Sequence, residues 1–172
     1  MDAGLAAVLG AVVGSLATLG AAIVNGHATA RSQFDQWRRQ QRRDAYGNYL
    51  SALHDRDIAM DAILDALRSD GPDLQCVDEK VQHFINLARE VHRATEVVHI
   101  EGPASLTKAA DDVARASAGF SEVMQRLVKN AHAGDVSTKD ADNALATERE
   151  RVLYEAVKGF RTAARDVLSA RS

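Results

Sequence analysis

The stretch that decides the fold is residues 103–132, PASLTKAADDVARASAGFSEVMQRLVKNAH. Apolar or small side chains recur in it at alternating steps of four and three residues, at Leu106, Ala110, Val113, Ser117, Phe120, Met124, Leu127 and Ala131. Such steps place these side chains on one face of an α-helix, and a face of this kind packs against a neighbouring helix at a shallow crossing angle. The stretch therefore predicts one helix of a bundle.

The segments on either side show the same helical period. Segment 74–100 carries a regular face made of Leu74, Val77, Val81, Phe84, Ala88, Val91, Thr95 and Val98. Segment 28–69 has a comparable face only in its second half, at Tyr46, Tyr49, Leu50, Leu53, Met60, Ile63, Leu64 and Leu67. Segment 138–170 has a less regular stripe made of Leu145, Val152, Ala156, Phe160, Ala163 and Val167.

Short breaks separate these four segments. Gly71-Pro72, Gly102-Pro103 and Ala133-Gly134-Asp135 each end one helix and allow another to begin. Ser137 is expected to cap the last helix. Because short turns make consecutive helices antiparallel, the sequence predicts an all-α fold with an antiparallel bundle of about four helices.

The amino terminus differs from the rest of the chain, because no charged residue occurs from Ala3 to Asn25. A helix of about 23 residues is long enough to cross a hydrocarbon layer of roughly 30 Å. A secretory signal peptide would begin with basic residues and have a shorter apolar run, whereas this chain begins Met1-Asp2. We therefore expect a transmembrane anchor in residues 1–26, and the alternative is a buried or cleaved segment.

A basic segment, residues 27–44, follows the predicted span. Its five arginines, against two aspartates, give it a net charge of +3; they are Arg31, Arg38, Arg39, Arg42 and Arg43, and we call them the collar. Because basic residues beside a span stay in the cytoplasm, we expect a single-pass protein of the plasma membrane, with its amino terminus outside. The collar then either only fixes this topology or also holds lipid head groups.

Residues 45–172 are expected to form a cytoplasmic helical bundle. The whole chain has a net charge of −3, to which Asp2 contributes −1 and residues 27–44 contribute +3, so residues 45–172 carry −5. This negative charge argues against nucleic acid as a partner. Cys76 is the only cysteine and cannot form an internal disulfide, which agrees with a reducing compartment.

Residues 27–44 are mostly polar, apart from Phe34 and Trp37. One interpretation is a helical stalk that continues the span. The other is a helix lying on the membrane surface with both aromatic side chains immersed.

Small residues repeat every four positions along the predicted span. They are Ala6, Gly10, Gly14, Thr18 and Ala22, and they include a G-x-x-x-G pair. A face of small residues lets two membrane helices approach closely. It predicts a homo-oligomer that forms through the span, unless it only reflects the composition of the segment.

The sequence contains no pattern that predicts catalysis. His92, Glu96 and His99 share one helical face, but a di-iron bundle needs the Glu-x-x-His pattern on two helices, and it occurs here once. Cys76 and His83 have no third group to orient them. We therefore expect no enzyme, no cofactor and no metal site.

The stretch from Arg42 to Leu50, RRDAYGNYL, resembles the start of the soluble domain in uncharacterised bacterial single-pass membrane proteins, especially actinobacterial ones. In those proteins a Gly/Ala-rich span leads into an Arg-Arg-x-x-Tyr-x-x-Phe/Tyr-Leu helix. The resemblance covers about the first 55 residues. It implies membrane anchoring and a helical cytoplasmic domain, and it supplies no activity.

The sequence therefore favours a membrane-anchored interaction or scaffold module whose bundle meets an unknown cytoplasmic protein or further copies of the chain. The alternative is an oligomerising membrane effector that forms a pore or perturbs the bilayer, with the bundle as its regulator.

Overall fold

The computed structural model describes residues 3–69 and 71–170, with side chains described from residue 33 onward. Four helices make up this part of the chain: α1 (Ala3–Arg68), α2 (Leu74–Glu101), α3 (Ala104–Ala133) and α4 (Lys139–Ser169). No strand occurs among the described residues. The all-helical class is therefore confirmed.

The predicted limits of the last three helices are correct to within one residue at each end. The first is wrong, because the predicted helix 28–69 has no separate beginning and α1 starts at Ala3. The backbone is helical through Gly26, His27 and Ala28.

The chain divides into two compact units, residues 1–41 and residues 42–172. The second unit contains the end of α1 together with α2, α3 and α4, and we call it the bundle. In the part of the chain described in full, no helix is long and apolar enough to cross a membrane. The span predicted for residues 1–26 lies outside that part, as do Arg31 and the small-residue face, Ala6, Gly10, Gly14, Thr18 and Ala22.

Local hydrogen bonds define the helix ends. The carboxylate of Asp73 accepts from the backbone N–H groups of Gln75 and Cys76 and so caps α2. Helix α4 begins after Thr138, so the prediction that Ser137 caps it is wrong. The Ser137 hydroxyl instead donates to the carboxylate of Asp135 at 2.6 Å, within the turn before the helix.

Contacts between histidine and aspartate side chains at both ends of α2 and α3 establish that these two helices are antiparallel. Near the start of α2, Asp78 lies 2.9 Å from His132, which is near the end of α3. At the opposite end, His99 Nε2 lies 3.2 Å from Asp111 Oδ1. The start of α2 thus lies beside the end of α3, and the end of α2 lies beside the start of α3, as expected from the short turn between the two helices.

Helices α1 and α4 are antiparallel as well. The Lys139 ammonium, at the start of α4, donates to the carbonyl oxygen of Ser69 at 3.4 Å. Towards the other end, the Phe160 ring contacts Tyr46 and Tyr49 edge-on, with centroid distances of 6.4 and 4.8 Å. The bundle is thus an up-down-up-down arrangement in which α1 lies beside α4.

The core follows the predicted faces of α1, α2 and α3. The stripe predicted for the last helix is mostly wrong: only its Phe160 is fully buried, Val152 is exposed, and Ala146, Leu153 and Ala164 are buried instead. On α3, every residue of the predicted face is buried except Ala131, which is half-buried. On α2, the most deeply buried members of the face are Val77, Phe84, Thr95 and Val98. Large aromatic side chains fill the middle, where Tyr49, Phe120 and Phe160 are almost completely enclosed.

Candidate functional site

A buried arginine lies at the centre of the bundle. Arg56 on α1 is only 7% exposed. Its Nη1 donates to the Ser117 hydroxyl, and its Nη2 donates to the Ser121 hydroxyl at 2.6 Å. The guanidinium also lies 4.7 Å from the centre of the Phe84 ring. One side chain therefore connects α1 with both α2 and α3.

This charge is compensated mainly by neutral groups. None of the ion pairs between described side chains includes Arg56. Burial lowers the pKa of Arg56, and the neighbouring Asp57 charge opposes that shift. Because guanidinium stays protonated in proteins, the cation persists and depends on its hydroxyl and ring contacts.

Arg56 was not predicted from the sequence, although the sequence contains a signal for it. The residue stands three positions after Leu53 and four before Met60, and both belong to the predicted buried face of α1. A charged residue at such a position faces the core, which requires partners on other helices.

Two tyrosines extend this polar part of the core. Burial raises the pKa of Tyr49 to about 12, and a hydrogen bond with Thr95 opposes that shift. Burial also raises the pKa of Tyr46, whose hydroxyl has no hydrogen-bond partner among the described residues. Both side chains are therefore neutral phenols at neutral pH.

A groove of about 200 Å³ lies between α1 and α4. Its apolar residues are buried or half-buried, namely Leu50, Leu53, Leu153 and Val157. Its exposed residues are polar or charged, namely His54, Asp57, Glu150, Tyr154 and Arg161. The buried Arg56 also lines it. We call this the α1–α4 groove, and a mainly apolar interior with a polar and charged margin is typical of a site that holds an amphipathic segment.

The electrostatics of the groove come from opposite charges at its margin. Burial raises the pKa of Asp57, and the nearby Asp61 charge raises it further. The charges of Arg56 and His54 act in the opposite direction. On α4, Tyr154 is 62% exposed although it is large and mostly apolar. The groove therefore offers an aromatic contact beside charged groups of both signs.

The described arginines of the collar differ in their contacts. The Nε of Arg42 donates to the carbonyl oxygen of Glu101 at 3.0 Å, at the end of α2. A cation there satisfies a carbonyl group at a helix carboxyl terminus. Arg38, Arg39 and Arg43 are exposed.

The histidines considered for metal binding are not brought together. His92 and Glu96 are exposed, and His99 is paired with Asp111. Cys76 and His83 border a shallow depression between α1 and α2. In the part of the chain that the structure describes, no three potential ligands among His, Cys, Asp and Glu form a group that could hold a metal ion.

The fold and these sites define the class of the protein: an all-helical bundle with a buried arginine and a groove between its first and last helices. Compared with protein-family models, curated proteins and solved structures, the chain matches none of them. Its function must therefore be inferred from its own residues.

Proposed function

We propose that this protein is a membrane-tethered interaction module. Residues 1–26 anchor it in the plasma membrane with the amino terminus outside, and the bundle faces the cytoplasm, where the α1–α4 groove receives a segment of a partner protein. The observation that carries the proposal is the complete absence of charge from Ala3 to Asn25, followed directly by the arginines of the collar.

The groove supports the interaction half of this proposal. An amphipathic helix could place apolar side chains against Leu53 and Leu153 while its polar side chains meet Asp57, Glu150 and Arg161.

The proposal is tested on the full chain in isolated membranes. The wild-type chain should resist alkaline washing and be released by detergent. Val12→Arg should weaken this retention, because an arginine at the centre of a span costs about 3 kcal/mol. Val12→Leu is the matched control and should be retained. Release of the wild-type chain by alkali would contradict the anchor.

The groove is tested in the same membranes with a photoreactive residue in place of Tyr154, which should crosslink to another polypeptide. A photoreactive residue in place of Lys129, exposed on α3, is the control and should give far less product. Equal yields would contradict a specific groove. Leakage of dye from vesicles that contain the chain would favour the alternative, an oligomerising membrane effector.

A further inference from the structure

Two large aromatic side chains are exposed side by side in the described part of residues 1–41. Phe34 is 56% exposed and Trp37 is 59% exposed. Their ring centroids lie 5.9 Å apart with the planes tilted by 34°. The two rings thus form one continuous apolar patch on a helix, and Trp is the residue that most favours the boundary between water and lipid.

Positive charge lies directly beside this patch. Phe34, Trp37 and Arg38 are related by steps of three and four residues, so they share one side of the helix. Arg39 is the next residue, and its Nε donates to the neutral carbonyl oxygen of Asp35 at 3.3 Å. No ion pair between described side chains includes Arg38 or Arg39.

We infer that this patch, Phe34, Trp37, Arg38 and Arg39, binds an anionic lipid surface. A straight helix would carry Trp37 about 18 Å beyond Asn25, so the inference requires α1 to bend after the span and bring this segment back to the lipid surface. The two rings then enter the interfacial layer, and the guanidinium groups pair with lipid phosphates while their alkyl stems stay in apolar surroundings. The inference rests on the proposed function, because the anchor brings these residues to a membrane. It deepens that function by assigning a lipid partner to the segment after the span.

Charge decides between lipid and a second copy of the chain as the occupant of the patch. Residues 27–41 contain three arginines and one acidic residue, Asp35. Pairing two copies side by side in parallel would bring like charges together, which is unfavourable. Anionic head groups neutralise the same charges and accept hydrogen bonds from them.

The experiment uses the intrinsic fluorescence of Trp37, the only tryptophan in the chain. The full chain is reconstituted into phosphatidylcholine vesicles and into vesicles in which about a quarter of the lipid is phosphatidylglycerol. With the anionic lipid, the Trp37 emission should shift to shorter wavelength and become sensitive to lipids brominated near the head group. High salt should reduce both effects.

Arg38→Gln with Arg39→Gln should lower the ratio of lipid-bound to free Trp37 by about 30-fold, since each arginine near an anionic surface contributes roughly fivefold. Arg89→Gln with Arg93→Gln, exposed on α2, removes equal charge and should change nothing. Identical Trp37 emission in both vesicle types would overturn the inference. So would emission that depends on protein concentration rather than on lipid charge, which indicates self-association.

Failure of the anchor is distinguishable from failure of the lipid-binding patch. Alkaline washing of the vesicles reports the anchor, whereas the Trp37 emission reports the patch. A retained chain whose Trp37 remains in water overturns only the patch. If the chain does not insert, the same emission measured after adding it to preformed vesicles still decides the patch.

Discussion

The side chain of Arg56 brings a positive charge into a mostly apolar interior. Removing an ion from water costs several kcal/mol even after the protein relaxes. Hydrogen bonds to a charged group return about 1.5–3 kcal/mol each, and a desolvated cation–ring contact about 2 kcal/mol. The interaction free energy from Ser117, Ser121 and Phe84 is therefore comparable with the free energy of desolvation. The loss of any one of these contacts should lower the stability of the bundle.

Ser117→Ala is expected to lower the free energy of unfolding by about 1–3 kcal/mol, because it removes an acceptor from a buried charge. The measurement is thermal unfolding of the full chain in mild detergent, followed by circular dichroism. Ser51→Ala, exposed on α1, is the matched control and should change stability by less than about 0.5 kcal/mol. In an Arg56→Met background, Ser117→Ala should cost much less, so additive effects would contradict the coupling.

This cluster shows how far sequence reasoning reaches at the level of residues. The period of α3 placed Ser117 on the buried face, and it is buried. Arg56 was missed because its partners Ser117 and Ser121 are 61 and 65 residues away. Helical periodicity identifies which face is buried, but it does not identify the residues on another helix that meet it.

Among the secondary structure elements, two helix ends depend on glycine for different reasons. Gly134 follows α3 with φ of 67°, in the left-handed region. Gly102 follows α2 with φ of −90°, and there the constraint is space, because an added Cβ would lie 2.7 Å from the carbonyl oxygen of Val98. Both glycines were predicted as breaks, since Gly and the residue after it are local signals.

The same reasoning predicts opposite effects for two glycine substitutions. Gly134→Ala should destabilise the chain by about 1–2 kcal/mol, the cost of a left-handed conformation for a residue with a Cβ. Gly159→Ala, inside α4 with no atom within 4 Å of the new methyl group, should stabilise it by about 0.5–1 kcal/mol. Midpoints of thermal unfolding measured under one condition test both, and shifts of the same sign would refute the assignment of their roles.

For the whole molecule, the antiparallel order of helices could be predicted because short turns leave little choice. The α1–α4 groove could not be predicted, since it depends on how closely the first and last helices approach. Lys139 and Phe160 mark that approach at its two ends. Leu50 belonged to the predicted face of α1, whereas Leu153, which is buried, was not part of the stripe predicted for the last helix.

The orientation proposed for the whole molecule can be tested with Cys76, the only cysteine in the chain. Since it is only partly buried, a maleimide can reach it once the membrane is open. In spheroplasts, an impermeant maleimide should leave Cys76 unmodified until the cells are permeabilised.

Asp2→Cys in a Cys76→Ser background should be labelled before permeabilisation, because the amino terminus is proposed to lie outside. Gln82→Cys in the same background, exposed on α2, controls for the partial burial of Cys76 and should behave as Cys76 does. Labelling of Gln82→Cys in intact spheroplasts would place the bundle outside the cell and contradict the proposed orientation. The arginines after the span would then be an exception to the rule that basic residues beside a span stay in the cytoplasm.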